Sequence, residues 1–143
     1  MTRNKAKKKT RSELTVGEVA ARSGLAVSAI QFYESKGLIV GTRTAGRRRL
    51  YGSDVLPRVA VIKTAQSVGI PLSAMRDILT LLPTERVPSR DDWNIFLDTW
   101  RSDVDKRVAR LHSLRAELLK CETCGCLSAE TCPLLAAENA HET

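Results

Sequence analysis

Four cysteines, Cys121, Cys124, Cys126 and Cys132, fall within the stretch CETCGCLSAETC near the C-terminal end, and the chain has no others. Their spacing is C-x2-C-x-C-x5-C. Four soft thiolates this close together can hold Zn²⁺ or an iron–sulfur core. They could also form two disulfides or act as a thiol switch. A structural zinc site often comes as two C-x2-C pairs across a longer loop, whereas here Gly125 lets the backbone turn sharply between ligands. Spacing alone leaves zinc and iron–sulfur equally open, with a thiol switch third.

The compartment bears on that choice. The opening MTRNKAKKKTR is basic like the start of a signal peptide, yet no apolar segment follows it. No stretch approaches the roughly 18–20 apolar residues of a membrane span. A protein that stays in a reducing cytoplasm is the expectation, with no membrane partner. Structural disulfides fit that setting poorly.

The elements that must position these thiols begin with a charge imbalance. Residues 1–63 carry 14 Lys/Arg against 4 Asp/Glu, and residues 64–143 carry 9 against 12. The first half is therefore built to meet a polyanion, with nucleic acid ahead of an anionic membrane surface. Residues 1–12 have nothing to pack and read as a disordered basic tail.

From Leu14 the pattern becomes helical. Thr15 followed by Glu18 is a capping box that starts a helix near Val16. Gly24 suits a tight turn, and a second helix follows from Val27 to Lys36, stopped by Gly37. Two short helices around such a turn fit a helix-turn-helix. The next stretch, LIVGTRTAGRRRLYG, runs from apolar through a turn to basic and closes on Tyr51. It predicts a short β-hairpin, a wing, with the alternative being a solvated basic loop. Ser53 is expected to cap a helix through Val68, and Ser73 a shorter one ending toward Pro83.

The longest periodic pattern covers about Asp91 to Leu119. Trp93, Leu97, Trp100, Val104, Val108, Leu111, Leu114 and Leu118 recur at steps of three or four. A helix near thirty residues exceeds the roughly 10–14 of globular packing, which favours antiparallel pairing with a second copy over folding back on its own domain. His112 sits beside this stripe as a surface or helix-pairing residue. Nothing resembles a phosphate-cradling glycine loop or a catalytic triad, and no enzymatic activity is expected.

This order of elements, with FYESKGLI at Phe32 to Ile39, resembles the MerR family of bacterial transcription regulators. The cysteine pattern CxxCGCLSxxxCPL narrows the resemblance to the SoxR branch, its redox-sensing members. The resemblance spans about Leu14 to Leu134. It implies a mainly α fold, with a winged helix-turn-helix DNA-binding domain (13–83), a long antiparallel coiled-coil dimerisation helix (89–120) and a C-terminal metal-cluster loop (121–134). A flexible tail (135–143) follows. The family implies a homodimer on palindromic double-stranded promoter DNA, working with RNA polymerase. It also implies one [2Fe-2S] cluster per subunit, held by all four cysteines. Oxidation of the cluster by redox-cycling compounds would activate transcription by distorting a promoter with an overlong spacer.

By position, the resemblance puts Ser28, Gln31 and Tyr33 on the recognition helix and Arg43, Arg47, Arg48, Arg49 and Tyr51 in the wing. The sequence departs from the family at Leu50, where a basic residue usually precedes the wing tyrosine. Two rival readings remain. One is a regulator of the same family sensing zinc or another thiophilic metal. The other is a redox protein outside transcription, which leaves the basic first half and the wing unexplained.

Overall fold

Thr15 starts the first helix as its spacing from Glu18 implies. Its hydroxyl oxygen accepts the Glu18 backbone N–H at 3.2 Å, and the hydroxyl lies 3.3 Å from the Glu18 carboxylate. That bond satisfies one of the donors a helix leaves open at its N-terminus. The computed structural model describes residues 13–46 and 48–124, with side chains through 122. The basic tail (1–12), Arg47, residues 125–134 of the expected cluster loop and the tail 135–143 lie outside the described residues.

The element order is β1 (Glu13–Thr15), α1 (Val16–Ser23), α2 (Val27–Ser35), β2 (Thr42–Arg43), β3 (Arg49–Gly52), α3 (Val55–Ser67), α4 (Leu72–Leu79) and α5 (Arg90–Cys124). The chain separates into two compact units, Met1–Leu97 and Asp98–Thr143. In the first unit, α1 ends at Gly24, whose φ of 69° is open to glycine at little cost, and α2 begins three residues later. The expected wing is present as the antiparallel pair β2–β3. A third strand not foreseen in the sequence, β1, adds to its other edge, giving the order β1-β3-β2 with Leu14 opposite Tyr51.

The core of this unit is drawn from its helices and from β1 and β3. Val19, Ile30, Val59, Ile62 and Phe96 have no exposed surface. Tyr33 on α2 donates its hydroxyl to the Gln66 side-chain carbonyl on α3. Burial pushes the Tyr33 phenol above its ordinary pKa, so it remains a protonated donor. Lys63 on α3 donates to the Ser23 carbonyl at 3.1 Å, covering an open acceptor at the end of α1. Arg58 is buried and reaches the Pro83 carbonyl at 2.5 Å, holding the segment after α4 against α3.

Two expected caps are corrected. Asp54, not Ser53, occupies the N-cap of α3, and Pro71, not Ser73, that of α4; neither gives a side-chain capping bond. Ser53 instead offers its backbone carbonyl to Leu56 N–H at 3.3 Å, and Ser73 lies inside the first turn. Proline supplies a fixed φ and the extended geometry that precedes a helix, which suffices to start α4.

The start of α5 is stapled. Asp92 accepts the Ser89 backbone N–H at 2.7 Å and the Ser89 hydroxyl at 2.9 Å, and Ser89 Oγ accepts Asp92 N–H at 3.2 Å. Arg86 adds two contacts to the same carboxylate, at 2.5 and 3.1 Å. Phe96, absent from the apolar stripe read in the sequence, is the fully buried residue of this turn and meets Trp93 edge-on at 5.5 Å.

The second unit begins at Asp98 and contains the rest of α5. The helix runs to Cys124, past the end near Leu119 that the stripe suggests. Pairs at helical spacing support it, Asp98–Arg101 at 3.1 Å and Asp103–Arg107 at 3.0 Å. Val108, Leu111, Leu114 and Leu118 are exposed. Among the described residues, no helix is long and apolar enough to cross a membrane.

The Arg86 hydrogen bond, followed by those from Ser89, holds the Asp92 carboxyl well below its ordinary value of 3.8. A depressed carboxylate stabilises the fold above that ordinary value, and the contribution is lost as pH falls below it. Urea unfolding followed from pH 5 to pH 3 should therefore show a steeper loss of stability in the native chain than in Asp92→Asn. Equal slopes would remove Asp92 from the acid sensitivity of this unit.

Candidate nucleic-acid interface and cysteine centre

Helix α2 turns Ile30 and Tyr33 inward and leaves Ser28, Gln31, Phe32, Ser35 and Lys36 exposed. Spacings of three and four gather these exposed residues on one side. The helix has Ala26 at its N-cap, no side-chain capping bond and no acidic residue in its first turn. Its leading N–H groups are thus available to anions. Ser28 and Gln31 stand where a polar edge could be read. Tyr33 does not: at 3% exposure, with its hydroxyl on Gln66, it is a core residue that positions the helix.

The wing is closed by the Thr44 backbone N–H, which donates to the Arg48 carbonyl at 2.9 Å. Arg43 and Arg48 are exposed, while Leu50 is half-buried opposite Thr15 and Thr42. Tyr51, which the resemblance puts in the wing, is buried on β3. It is 1% exposed, and its hydroxyl donates to Glu34 Oε2 at 2.5 Å. The Arg49 guanidinium pairs with the other oxygen of that carboxylate. Arg49 is therefore tied to α2, leaving Arg43 and Arg48 as the untethered wing cations among the described residues.

Glu34 thus joins the last turn of α2 to the middle of β3 through two different donors. Sequence reasoning missed it, although a signal existed: it is the sole acidic residue between Glu18 and Asp54, inside a strongly basic stretch. Gly41 belongs to the same joint. A Cβ there would lie 2.9 Å from Tyr51 Cε1 and 3.2 Å from Arg49 Nε, so only glycine lets the Tyr51 ring and the Arg49 side chain come so close.

Around this interface the first unit concentrates cations on short, well-anchored elements. A basic surface carrying one exposed helix and one exposed hairpin can neutralise phosphates and present polar side chains to base edges.

At the other end of the chain, Cys121 is half-buried in the last turn of α5 and Cys124 is its final residue. Cys126 and Cys132 lie outside the described residues. Among the described residues, no three potential ligands gather as a metal site. The donor set, four thiolates at this spacing, fits an iron–sulfur core and fits zinc equally.

Two family models match the chain: MerR HTH family regulatory protein over residues 14–82, and MerR, DNA binding, over residues 56–121. An HTH-type transcriptional activator SoxR homolog of Chromobacterium violaceum is 41% identical over 123 residues, covering 86% of this chain and 83% of that protein. A mercuric resistance operon regulatory protein of Pseudomonas fluorescens is 30% identical over 128 residues, covering 87% and 86%. Among solved structures, a MerR family transcriptional regulator from Bacillus thuringiensis superimposes with a TM-score of 0.52 at 18% identity, over 78% of this chain and 96% of that one. That likeness concerns the fold.

The joint at Glu34 makes a direct prediction. Glu34→Ala leaves the buried Tyr51 hydroxyl without its acceptor and should lower the unfolding free energy by about 1–3 kcal/mol in urea. Glu34→Gln keeps a carbonyl oxygen for Tyr51 and should lose less. Equal losses in the two variants would show that the ion pair to Arg49, not the Tyr51 bond, carries the joint.

Proposed function

The chain belongs to the MerR family of helix-turn-helix regulators, and from that membership we propose that it is a redox-sensing transcription activator. As a member it is a DNA-binding regulator rather than an enzyme. The observation that carries the finer reading is the set of four cysteines beginning on the last turn of α5, together with 41% identity to a SoxR homolog.

In this reading α2 enters the major groove, with Ser28 and Gln31 at base edges or neighbouring phosphates. Arg43, Arg47 and Arg48 neutralise phosphates from the wing. Tyr33, Tyr51 and Arg49 hold the two elements in place. The exposed stripe Val108, Leu111, Leu114 and Leu118 is covered by the same helix of a second copy, giving an antiparallel homodimer on a palindromic promoter where RNA polymerase also binds.

Cys121, Cys124, Cys126 and Cys132 hold one [2Fe-2S] cluster per subunit, which supplies one-electron chemistry at accessible potential. One added charge across roughly 10 Å at an effective dielectric near 20 is worth about 1–2 kcal/mol. Moving a two-state equilibrium fully takes about 5.5 kcal/mol. The residues around the cysteines must therefore rearrange and pass the change along α5. A second reading, a sensor of zinc or another thiophilic metal, is supported by the 30% identity to a mercuric resistance regulator and by the same thiolates.

Arg48→Ala should weaken binding to all sequences and reduce the slope of log affinity against log salt by about one. An unchanged slope would take Arg48 off the phosphates. The activation step is tested by transcription in vitro with the protein poised oxidised or reduced on one promoter. Both states should occupy the promoter with comparable affinity, and only the oxidised one should raise transcription. Activation that tracks occupancy alone would contradict promoter distortion.

A further inference from the structure

Phe32 is the one large aromatic on the exposed side of α2 among the described residues, and 46% of its surface is open to solvent. Its neighbours on that side, Ser28, Gln31, Ser35 and Lys36, are polar or charged. The adjacent Tyr33 supplies the aromatic the core uses, so packing within the first unit does not require Phe32. The Lys36 ammonium lies 5.5 Å from its ring centroid, a cation–π contact at helical i,i+4 spacing. An exposed apolar ring with a cation on one face suits a surface that is apolar at one point and anionic around it. The major groove offers that combination at thymine, whose C5-methyl group projects among base edges flanked by phosphates.

We propose that Phe32 is a specificity-determining residue that packs against a thymine C5-methyl in each half-site, beside the base addressed by Gln31. This rests on the reading of α2 as the groove-entering helix and deepens it. Gln31 and Phe32 are consecutive, so the two contacts fall on neighbouring positions of the site. A glutamine pairs best with adenine N6 and N7. The half-site is accordingly expected to contain an adenine and a thymine next to each other, on the same or opposite strands. Lys36 neutralises a phosphate bordering that step while retaining its contact with the ring.

The test uses the full chain and duplexes of the footprinted operator in which each thymine in turn is replaced by uracil, which deletes the methyl group and leaves Watson–Crick pairing intact. For the wild type, one position per half-site should weaken binding about fourfold, the value of one buried methyl group. Phe32→Ala should bind the thymine duplex more weakly and show no further loss at that uracil. Because Phe32 is exposed, its urea midpoint should match the wild type, which separates a lost contact from a lost fold. The inference is overturned if no uracil weakens wild-type binding, or if Phe32→Ala keeps the same uracil penalty. The absence of any footprint on promoter DNA would overturn it together with the DNA-reading role of α2, whereas a footprint without a uracil penalty overturns the Phe32 contact alone.

Discussion

A single carboxylate sets the relation between the two elements that face outward. Glu34 ends α2, and its oxygens receive the Tyr51 hydroxyl and the Arg49 guanidinium from β3. Between a helix and a four-residue hairpin strand, a directional, charge-assisted joint fixes the angle. It also discharges a cost. A carboxylate only partly open to water needs donors, and the wing supplies two of different kinds. Gly41 completes the arrangement by leaving room for the Tyr51 ring and the Arg49 side chain. Behind this joint, the Tyr33–Gln66 and Lys63–Ser23 bonds fix α2 and α1 to α3. The recognition surface is a rigid frame carrying a few free polar ends.

The electrostatic layout follows from the same economy. Of the wing arginines described, Arg49 is committed to Glu34, while Arg43 and Arg48 are exposed. At the far end of the sequence, the balance turns negative and the side chains of α5 pair along their own helix. The first of the cysteines, Cys121, lies on that helix. In the proposed reading, signal and reader are far apart in sequence, and the size of a single charge at distance makes conformational change, not a field, the connection between them.

Much of the frame was legible because local rules acted alone. Thr15 and Glu18 cap the first helix by spacing, Gly24 provides its left-handed stop, and the three-and-four stripe announces α5. Where two residues of similar type compete, the pattern is silent. Phe32 and Tyr33 are adjacent aromatics, and periodicity could not say that Tyr33 would be drawn inward by a hydroxyl acceptor on α3 while Phe32 stayed out. Tyr51 misled in the same way, since its partner Glu34 lies 17 positions earlier. Ser53 and Ser73 are good capping residues, yet the chain starts both helices one to two positions away, where backbone geometry decided. Strand β1 has three residues and exists only because β3 offers an edge, a tertiary reason absent from its own sequence. The four cysteines are a donor set suited to metal by type, but their spacing does not choose between zinc and iron–sulfur.

That choice is the central claim, and the visible absorption of anaerobically purified protein, before and after dithionite, addresses it directly when iron, sulfide and zinc are assayed on the same sample. A redox sensor with one [2Fe-2S] cluster per subunit requires a coloured protein that bleaches on reduction and holds about two irons and two sulfides per chain. A colourless protein carrying zinc and no sulfide would keep the DNA-binding frame and contradict the redox account.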